Sequence, residues 1–253
     1  MINNIDDIKL DFLEWDTKQF GFPCGIIDCS SYSKKISQYK LIERISYLID
    51  HNSDIKFITL KLSCFYNDVF NYLVKKHYCK LIDTEFIFKL INLQTNYFTK
   101  TSINVIFTKT IDPNFFLPLV KDIKWSRFFL DDRIKKKHSK KLWRDSLINH
   151  CSGLADDIAV AFFDKKPAGL ILLKNISSIS TTFFFVGVLK EFKRRGIGSE
   201  LIKSISIKYD KVPNIFVETS CRNIPAQMLY QKNGFIIDNT RYILHFFKGK
   251  ELI

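Results

Sequence analysis

Val188-Leu-Lys-Glu-Phe-Lys-Arg-Arg-Gly-Ile-Gly-Ser-Glu-Leu201 leads from the end of an apolar strand into an amphipathic helix, and its reading decides the fold. Ile197, Leu201, Ile202, Ile205 and Tyr209 recur on one face, which predicts a core-packed helix over 197–209 that starts beside Gly196. The first N–H groups of a helix have no intrahelical acceptor and point outward along its axis. Lys193, Arg194 and Arg195 stand immediately upstream, the unfavourable charge for the positive end of a helix dipole. An anion held at that end removes the penalty. Taken alone, the same residues also fit a solvated basic loop whose glycines serve the turn.

A second segment, Asn223-Ile-Pro-Ala-Gln-Met-Leu-Tyr-Gln-Lys-Asn-Gly-Phe235, follows after one more strand. Ala226, Leu229 and Tyr230 fall on adjacent faces of a short helix that stops at Asn233-Gly234. A tyrosine in an apolar helix is ordinarily a core residue. In order, spacing and residue type, the two segments together resemble the acetyl-CoA site of the GNAT superfamily of N-acetyltransferases. The family's phosphate loop reads Gln/Arg-x-x-Gly-x-Gly/Ala, and Lys193-Arg-Arg-Gly-Ile-Gly198 fits it with Lys in the first place. Arg194 and Lys190 stand where many members carry Gly and Pro, which bears on side-chain contacts but not on main-chain ones.

The resemblance implies a division of labour. Lys193, Arg194, Arg195, Gly196, Ile197, Gly198 and Ser199 would hold the pyrophosphate of acetyl-CoA, chiefly through backbone amides. Val186, Gly187 and Val188 would line the pantetheine arm, with Gly187 allowing a close approach of ligand to backbone. The Val188 amide would face the thioester oxygen. Asn223 would bond the pantetheine arm, and Tyr230 would be the general acid that protonates the departing thiolate. A thiolate of pKa roughly 8.5 and a phenol of about 10 are suited to share that proton.

Two outer segments carry a narrower likeness. Leu13-Glu-Trp-Asp-Thr-Lys-Gln-Phe-Gly-Phe22 and Lys124-Trp-Ser-Arg-Phe-Phe-Leu-Asp131 are similar to parts of the bacterial dTDP-fucosamine acetyltransferase group. That likeness implies an amino-deoxy sugar nucleotide such as dTDP-4-amino-4,6-dideoxyhexose as acceptor, in surface-polysaccharide (lipopolysaccharide) biosynthesis. Arg127 would meet its diphosphate and Phe128 would stack on it. Trp15, Phe20 and Phe22 suit a core equally well. Glu14, Asp16, Glu85 and Glu218 are all candidates for a general base, and the residues do not choose among them. Other amines (a peptide N-terminus, a polyamine, an aminoglycoside) and a non-catalytic acyl-CoA-binding module are the alternatives.

Composition bounds the rest. Apolar residues are 46% and aromatics 15% of 253 residues, ample for a buried core. The net charge of +13 comes from scattered lysines apart from Lys135-Lys-Lys-His-Ser-Lys-Lys141, and no nucleic-acid-binding motif accompanies it; acidic small ligands suit the same field. Cys24, Cys29, Cys64, Cys79, Cys151 and Cys221 show no Cys-x-x-Cys pair and no Cys/His ligand spacing, so reduced thiols and no metal are expected. No apolar run reaches the eighteen or so residues of a membrane span, and Met1-Ile-Asn-Asn-Ile-Asp-Asp lacks the features of a signal peptide. A cytoplasmic enzyme is expected, and a homodimer through C-terminal strands would accord with related enzymes.

The element pattern predicts an α/β (α+β) chain in two domains. Residues 1–92 read as a smaller N-terminal α/β domain of order ββαβαβ, on the acceptor side, with strands at 9–15, 25–29, 55–62 and 81–90 and helices at 36–49 and 69–74. Residues 91–104 read as a linker. Residues 103–253 read as the acetyltransferase domain, a mixed, mostly antiparallel sheet flanked by helices. Its strands are expected near 104–108, 158–163, 168–173, 181–188, 215–219 and 241–247, and its helical segments at 115–123, 140–149, 197–209 and 224–232. This order resembles the GNAT core.

Overall fold

The computed structural model describes residues 4–31, 36–76, 79–91 and 102–248, so most of the expected linker lies outside the described residues. The chain forms two compact units. Unit 1 comprises Met1–Phe86, Trp125–Ser139 and Asn239–Ile253; unit 2 comprises Ile87–Lys124 and Lys140–Asp238.

Unit 1 contains β1 (Leu10–Phe12), α1 (Glu14–Phe20), β2 (Cys24–Cys29), α2 (Gln38–His51), β3 (Phe57–Ser63), α3 (Asn67–Lys76) and the first part of β4 (Lys80–Leu90). The strand expected over 9–15 forms only at Leu10–Phe12; from Glu14 to Phe20 the chain is helical. Glu14 and Asp16 favour a helix start, Gly21 ends it at φ 79°, and Asp16 and Phe20 fall one turn apart on its buried side. Leu41, Ile45, Leu48 and Ile49 of α2, with Val69 and Leu73 of α3, cover Ile27, Ile58, Leu60 and Leu62 in one apolar core. Strand β2 runs parallel to β3, paired from Cys24↔Phe57 to Cys29↔Leu62.

Two segments that the sequence assigned to the second domain pack in unit 1. β10 (Phe235–Phe247) begins well before the expected strand at 241, and its latter half pairs antiparallel with β3 from Arg241↔Ser63 to Phe247↔Phe57. Residues 125–139, with α4 (Arg127–Leu130) and the start of α5 (Lys136–Asn149), are held there by buried polar contacts. His245 Nδ1 lies 2.8 Å from Asp131 Oδ2, Arg133 donates to Asp131 at 2.9 Å from both Nε and Nη2, and Ser139 Oγ donates to the Phe128 carbonyl at 2.7 Å. Of these, the His245–Asp131 contact joins residues 114 positions apart and leaves no periodic signal.

Unit 2 contains the end of β4, β5 (Ile103–Thr108), most of α5, β6 (Asp157–Phe163), β7 (Lys166–Lys174), β8 (Thr181–Val188), α6 (Ile197–Lys208), β9 (Ile215–Ser220), α7 (Ile224–Lys232) and the start of β10. Strands β5 to β8 form an antiparallel meander in order. The β6–β7 hairpin turns through Asp164 and Lys165, both at positive φ. The expected helix over 115–123 is two 3-10 turns, Pro113–Phe115 and Leu117–Asp122, because Pro118 has no N–H to continue an α-helical ladder. Phe116, Leu119, Val120, Leu147 and Cys151 cover Ile158, Val160, Leu170 and Leu172 on one face of this meander. None of the six cysteines is in a disulfide, and burial pushes the thiol of Cys24 up to about 12 and that of Cys151 to about 11.

Candidate functional site

The site in unit 2 starts with a strand that loses its neighbour. β8 pairs with β7 along its length, but Phe184 is an extra residue between the partners Leu173↔Phe183 and Leu172↔Phe185. A bulge of this kind bends a strand and turns it from its ladder. On its other side β8 is parallel to β9 only from Thr181↔Ile215 to Phe183↔Val217, although it continues to Val188 and β9 to Ser220. Beyond Phe183 a gap therefore opens between them.

The amides on that gap follow from alternation along a strand. Leu189 N–H donates to the Ala168 carbonyl at 2.9 Å, toward β7. Gly187 N–H then faces β7 as well, and the N–H groups of Val186 and Val188 face the gap. A Cβ on Gly187 would lie 2.5 Å from Leu119 Cδ1, so the group crowding this glycine is Leu119.

At the end of β8 the chain makes the 3-10 turn Lys190–Phe192 and an exposed basic loop, Lys193 to Gly196, before α6. Arg194 (φ 66°) and Gly196 (φ 83°) both adopt left-handed conformations. The first bond inside α6 runs from Glu200 N–H to the Gly196 carbonyl at 3.0 Å, so the N–H groups of Ile197, Gly198 and Ser199 precede the ladder and point out of the helix start. Lys193 Nζ is 2.5 Å from Asp122 Oδ2, and the Arg195 guanidinium stands 5.0 Å from the Phe163 ring centroid. Both side chains are drawn aside and leave the helix end open, an arrangement suited to a phosphate.

Helix α7 steadies this first turn. Gly198 lets the helices meet, since a Cβ there would lie 3.0 and 3.1 Å from the two methyls of Leu229. Asn233 Nδ2 donates to Ser199 Oγ at 3.1 Å and to the Leu229 carbonyl at 2.7 Å. Asn223 caps the start of α7 and its Nδ2 donates to Thr219 Oγ1 at 3.1 Å. Tyr230 is buried, its ring 5.6 Å from that of Phe88 and 5.8 Å from that of Phe235. Burial raises its phenol above the ordinary value, so it is protonated throughout the neutral range. Leu119, Phe88, Thr219 and Asp122 thus belong to the site's frame with no motif to mark them in the sequence, whereas Phe235 closes the second motif.

The proposed acceptor residues belong to unit 1. Arg127 Nη2 is 3.3 Å from Asp16 Oδ2 and its guanidinium lies 4.2 Å from the Phe128 ring centroid. Phe128 itself is 3% exposed and packed by Phe20 and Phe57, so its ring is a core element with no open face for stacking. Burial raises the Asp16 carboxyl, against the opposing pull of Arg127. Of the other carboxylates considered as bases, Glu85 is paired with the buried Arg241 at 2.7 Å, and Glu218 is exposed on β9 one residue past the last pair. Among the described residues there is no group of three or more His, Cys, Asp or Glu able to hold a metal ion, and no helix long and apolar enough to cross a membrane.

Known proteins share the fold that holds these elements. Residues 155–237, which span β8, the basic loop, α6, β9 and α7, match the model of the acetyltransferase (GNAT) domain. No curated protein is recognisably similar in sequence. Among solved structures, a functionally unknown conserved protein from Staphylococcus epidermidis is similar at TM-score 0.63 and 12% identity, over 95% of this chain and 92% of that one. A GCN5-related N-acetyltransferase from Kribbella flavida is similar at 0.59 and 11%, over 90% and 82%. A tandem GNAT protein from the clavulanic acid biosynthesis pathway is similar at 0.53 and 10%, over 91% and 77%. At these identities the likeness is one of fold. The chain has the GNAT fold and carries a GNAT acetyltransferase domain.

Proposed function

We propose that the protein transfers the acetyl group of acetyl-CoA to an amine by direct attack. The observation that carries this reading is the gap beyond Phe183↔Val217, which ends at the open, basic start of α6. In it the pyrophosphate rests on the N–H groups of Ile197, Gly198 and Ser199 within the loop from Lys193, Arg194 and Arg195 to Gly196. The pantetheine arm lies along Val186, Gly187 and Val188 and reaches Asn223. The Val188 N–H stabilises the oxygen of the thioester as it gains charge. The amine nitrogen bonds to the carbonyl carbon as the carbon–sulfur bond breaks, and the sulfur takes the proton of Tyr230.

For the acceptor we infer an amino-deoxy sugar nucleotide, with Arg127 as the proposed contact of its diphosphate. The likeness of residues 13–22 and 124–131 to sugar-nucleotide acetyltransferases supports this. So does Arg127 Nε, a buried donor with no hydrogen-bond partner among the described residues and suited to an anion. A role in surface-polysaccharide synthesis in the cytoplasm goes with that acceptor. A different amine is equally compatible with the site in unit 2, since none of its residues discriminates acceptors.

The deciding experiment follows thiol release from acetyl-CoA against dTDP- and UDP-linked 3- and 4-amino-deoxy sugars, peptides, polyamines and aminoglycosides. Turnover of one nucleotide sugar at enzymatic rates establishes the reaction. Turnover of another amine alone replaces the acceptor. Binding of acetyl-CoA with no thiol release from any amine makes the domain an acyl-CoA-binding module.

A further inference from the structure

We propose that His150 accepts the proton of the attacking amine, a role that rests on the acetyl-transfer reading above. Helix α5 ends in a wide five-residue turn, His150–Leu154, which Gly153 closes at φ 115°. That turn lays the imidazole flat on Phe184, with centroids 4.1 Å apart and planes 14° from parallel. Phe184 is the bulge residue of β8 and the first beyond the last β8–β9 pair. His150 therefore stands at the point where the gap opens, the end opposite the phosphate loop.

The hydrogen bonding of the ring selects its tautomer. His150 Nδ1 is 2.7 Å from the Ser146 carbonyl oxygen, which can only accept. The proton sits on Nδ1, and Nε2 keeps its lone pair. Burial lowers the imidazole below its ordinary 6.5, partly offset by the Ser146 carbonyl; Lys174 pushes it the same way as burial and Asp156 the opposite way. A neutral imidazole of fixed tautomer is what proton abstraction at neutral pH requires. Trp143, whose ring is 6.4 Å from that of Phe184, walls the same corner.

The step balances. The amine nitrogen forms its bond to the acetyl carbon and loses a proton to His150 Nε2; the carbon–sulfur bond breaks and sulfur takes the proton of Tyr230. Solvent then carries a proton from the imidazolium to the phenolate and restores both groups. Among the carboxylates, Asp16 and Glu85 are paired with arginines in unit 1, which leaves Glu218 as the rival within unit 2.

The test measures thiol release from acetyl-CoA by the full chain, its His150→Gln and its Glu218→Gln variants from about pH 5 to about pH 9, with whichever amine the wild type turns over. The expected wild-type kcat/KM falls on the acid side with a midpoint below 6.5. His150→Gln loses about 100-fold or more in kcat and the acid limb with it, keeps its acetyl-CoA affinity, and His150→Ala regains rate with free imidazole. A purely structural histidine would not give that rescue. Near-normal kcat in His150→Gln, or loss of the limb in Glu218→Gln instead, overturns the assignment while the acetyl-transfer reading stands. Nitrogen NMR of the wild type is a second check independent of any variant's folding, and a proton on Nε2 overturns it. A wild type that binds acetyl-CoA and acetylates no amine overturns both readings.

Discussion

Phe183 and Val217 are the last partners that β8 and β9 share, and every residue proposed to hold acetyl-CoA follows one or the other along the chain. Unit 1 offers the contrast. Its parallel strands β2 and β3 stay paired through Cys29↔Leu62, with no bulge, and residues 30–37 after β2 contain no glycine. A zipped ladder presents no free amides to a pantetheine arm, and without glycine the left-handed turn before a phosphate-binding helix is strained. Titration calorimetry is therefore expected to give one acetyl-CoA per chain. A stoichiometry of two would show that unit 1 also binds.

Tyr230→Phe keeps the ring that Phe88 and Phe235 enclose and removes only the hydroxyl. The expected result is a fall in kcat of about 10- to 100-fold with acetyl-CoA affinity nearly unchanged. Because burial raises the phenol, wild-type kcat should also show no alkaline decline from this group up to about pH 10. Unchanged kcat in the variant removes Tyr230 from the mechanism.

Gly198→Ala places a methyl about 3 Å from the two methyls of Leu229, so the Leu229 side chain must give by a few tenths of an ångström in the seam between α6 and α7. We expect a stability loss of about 1–3 kcal/mol and weaker acetyl-CoA binding, because the first turn of α6 carries the proposed phosphate donors. Shortening Leu229 to Ala in the same chain should restore part of both. Thermal melts and calorimetry on the two variants check this, and an unchanged affinity in Gly198→Ala would show that the helix start tolerates the shift.

His245, wholly buried, sets the acid stability of unit 1. Burial lowers its imidazole from 6.5 to about 4, against the pull of Asp131. Above pH 6.5 neither folded nor unfolded chain protonates it; between 6.5 and about 4 the unfolded chain binds a proton that the folded chain refuses, so stability falls across that window. Asp131 extends the loss to lower pH. Burial would raise its carboxyl, but hydrogen bonds from His245 and Arg133 outweigh that and hold it well below its usual 3.8. Melting temperature should decline from pH 6.5 to 4, and His245→Gln should flatten that part of the slope.

Glu191 through Gly198 shows how local the legible signals are. The start of α6 was readable because apolar spacing, upstream charge and glycine act within one turn of chain. The same holds for α7, whose ends at Asn223 and Asn233-Gly234 are capping features. At the end of the strand expected over 9–15 local signals misled, because the alternation carried past Phe12 while the helix-start acids Glu14 and Asp16 and the later Gly21 governed the backbone. His150 carried no signal at all. Its meaning depends on Phe184, a residue far along the chain that a bulge turns toward it.

Local sequence encodes the basic glycine loop before α6, the helices on either side of β9 and, apart from α1, the order of the elements, since each rests on propensities and periodicities between near neighbours. Only the tertiary structure decided that β8 leaves β9 after Phe183, that Phe88 and Phe235 enclose Tyr230, and that residues 125–139 pack with β10 in unit 1. Those outcomes rest on strand pairing and on buried charge. Asp131 must meet His245 and Arg133 because a carboxylate taken out of water without partners is far less stable, and no pattern within a short window encodes a partner 114 residues away.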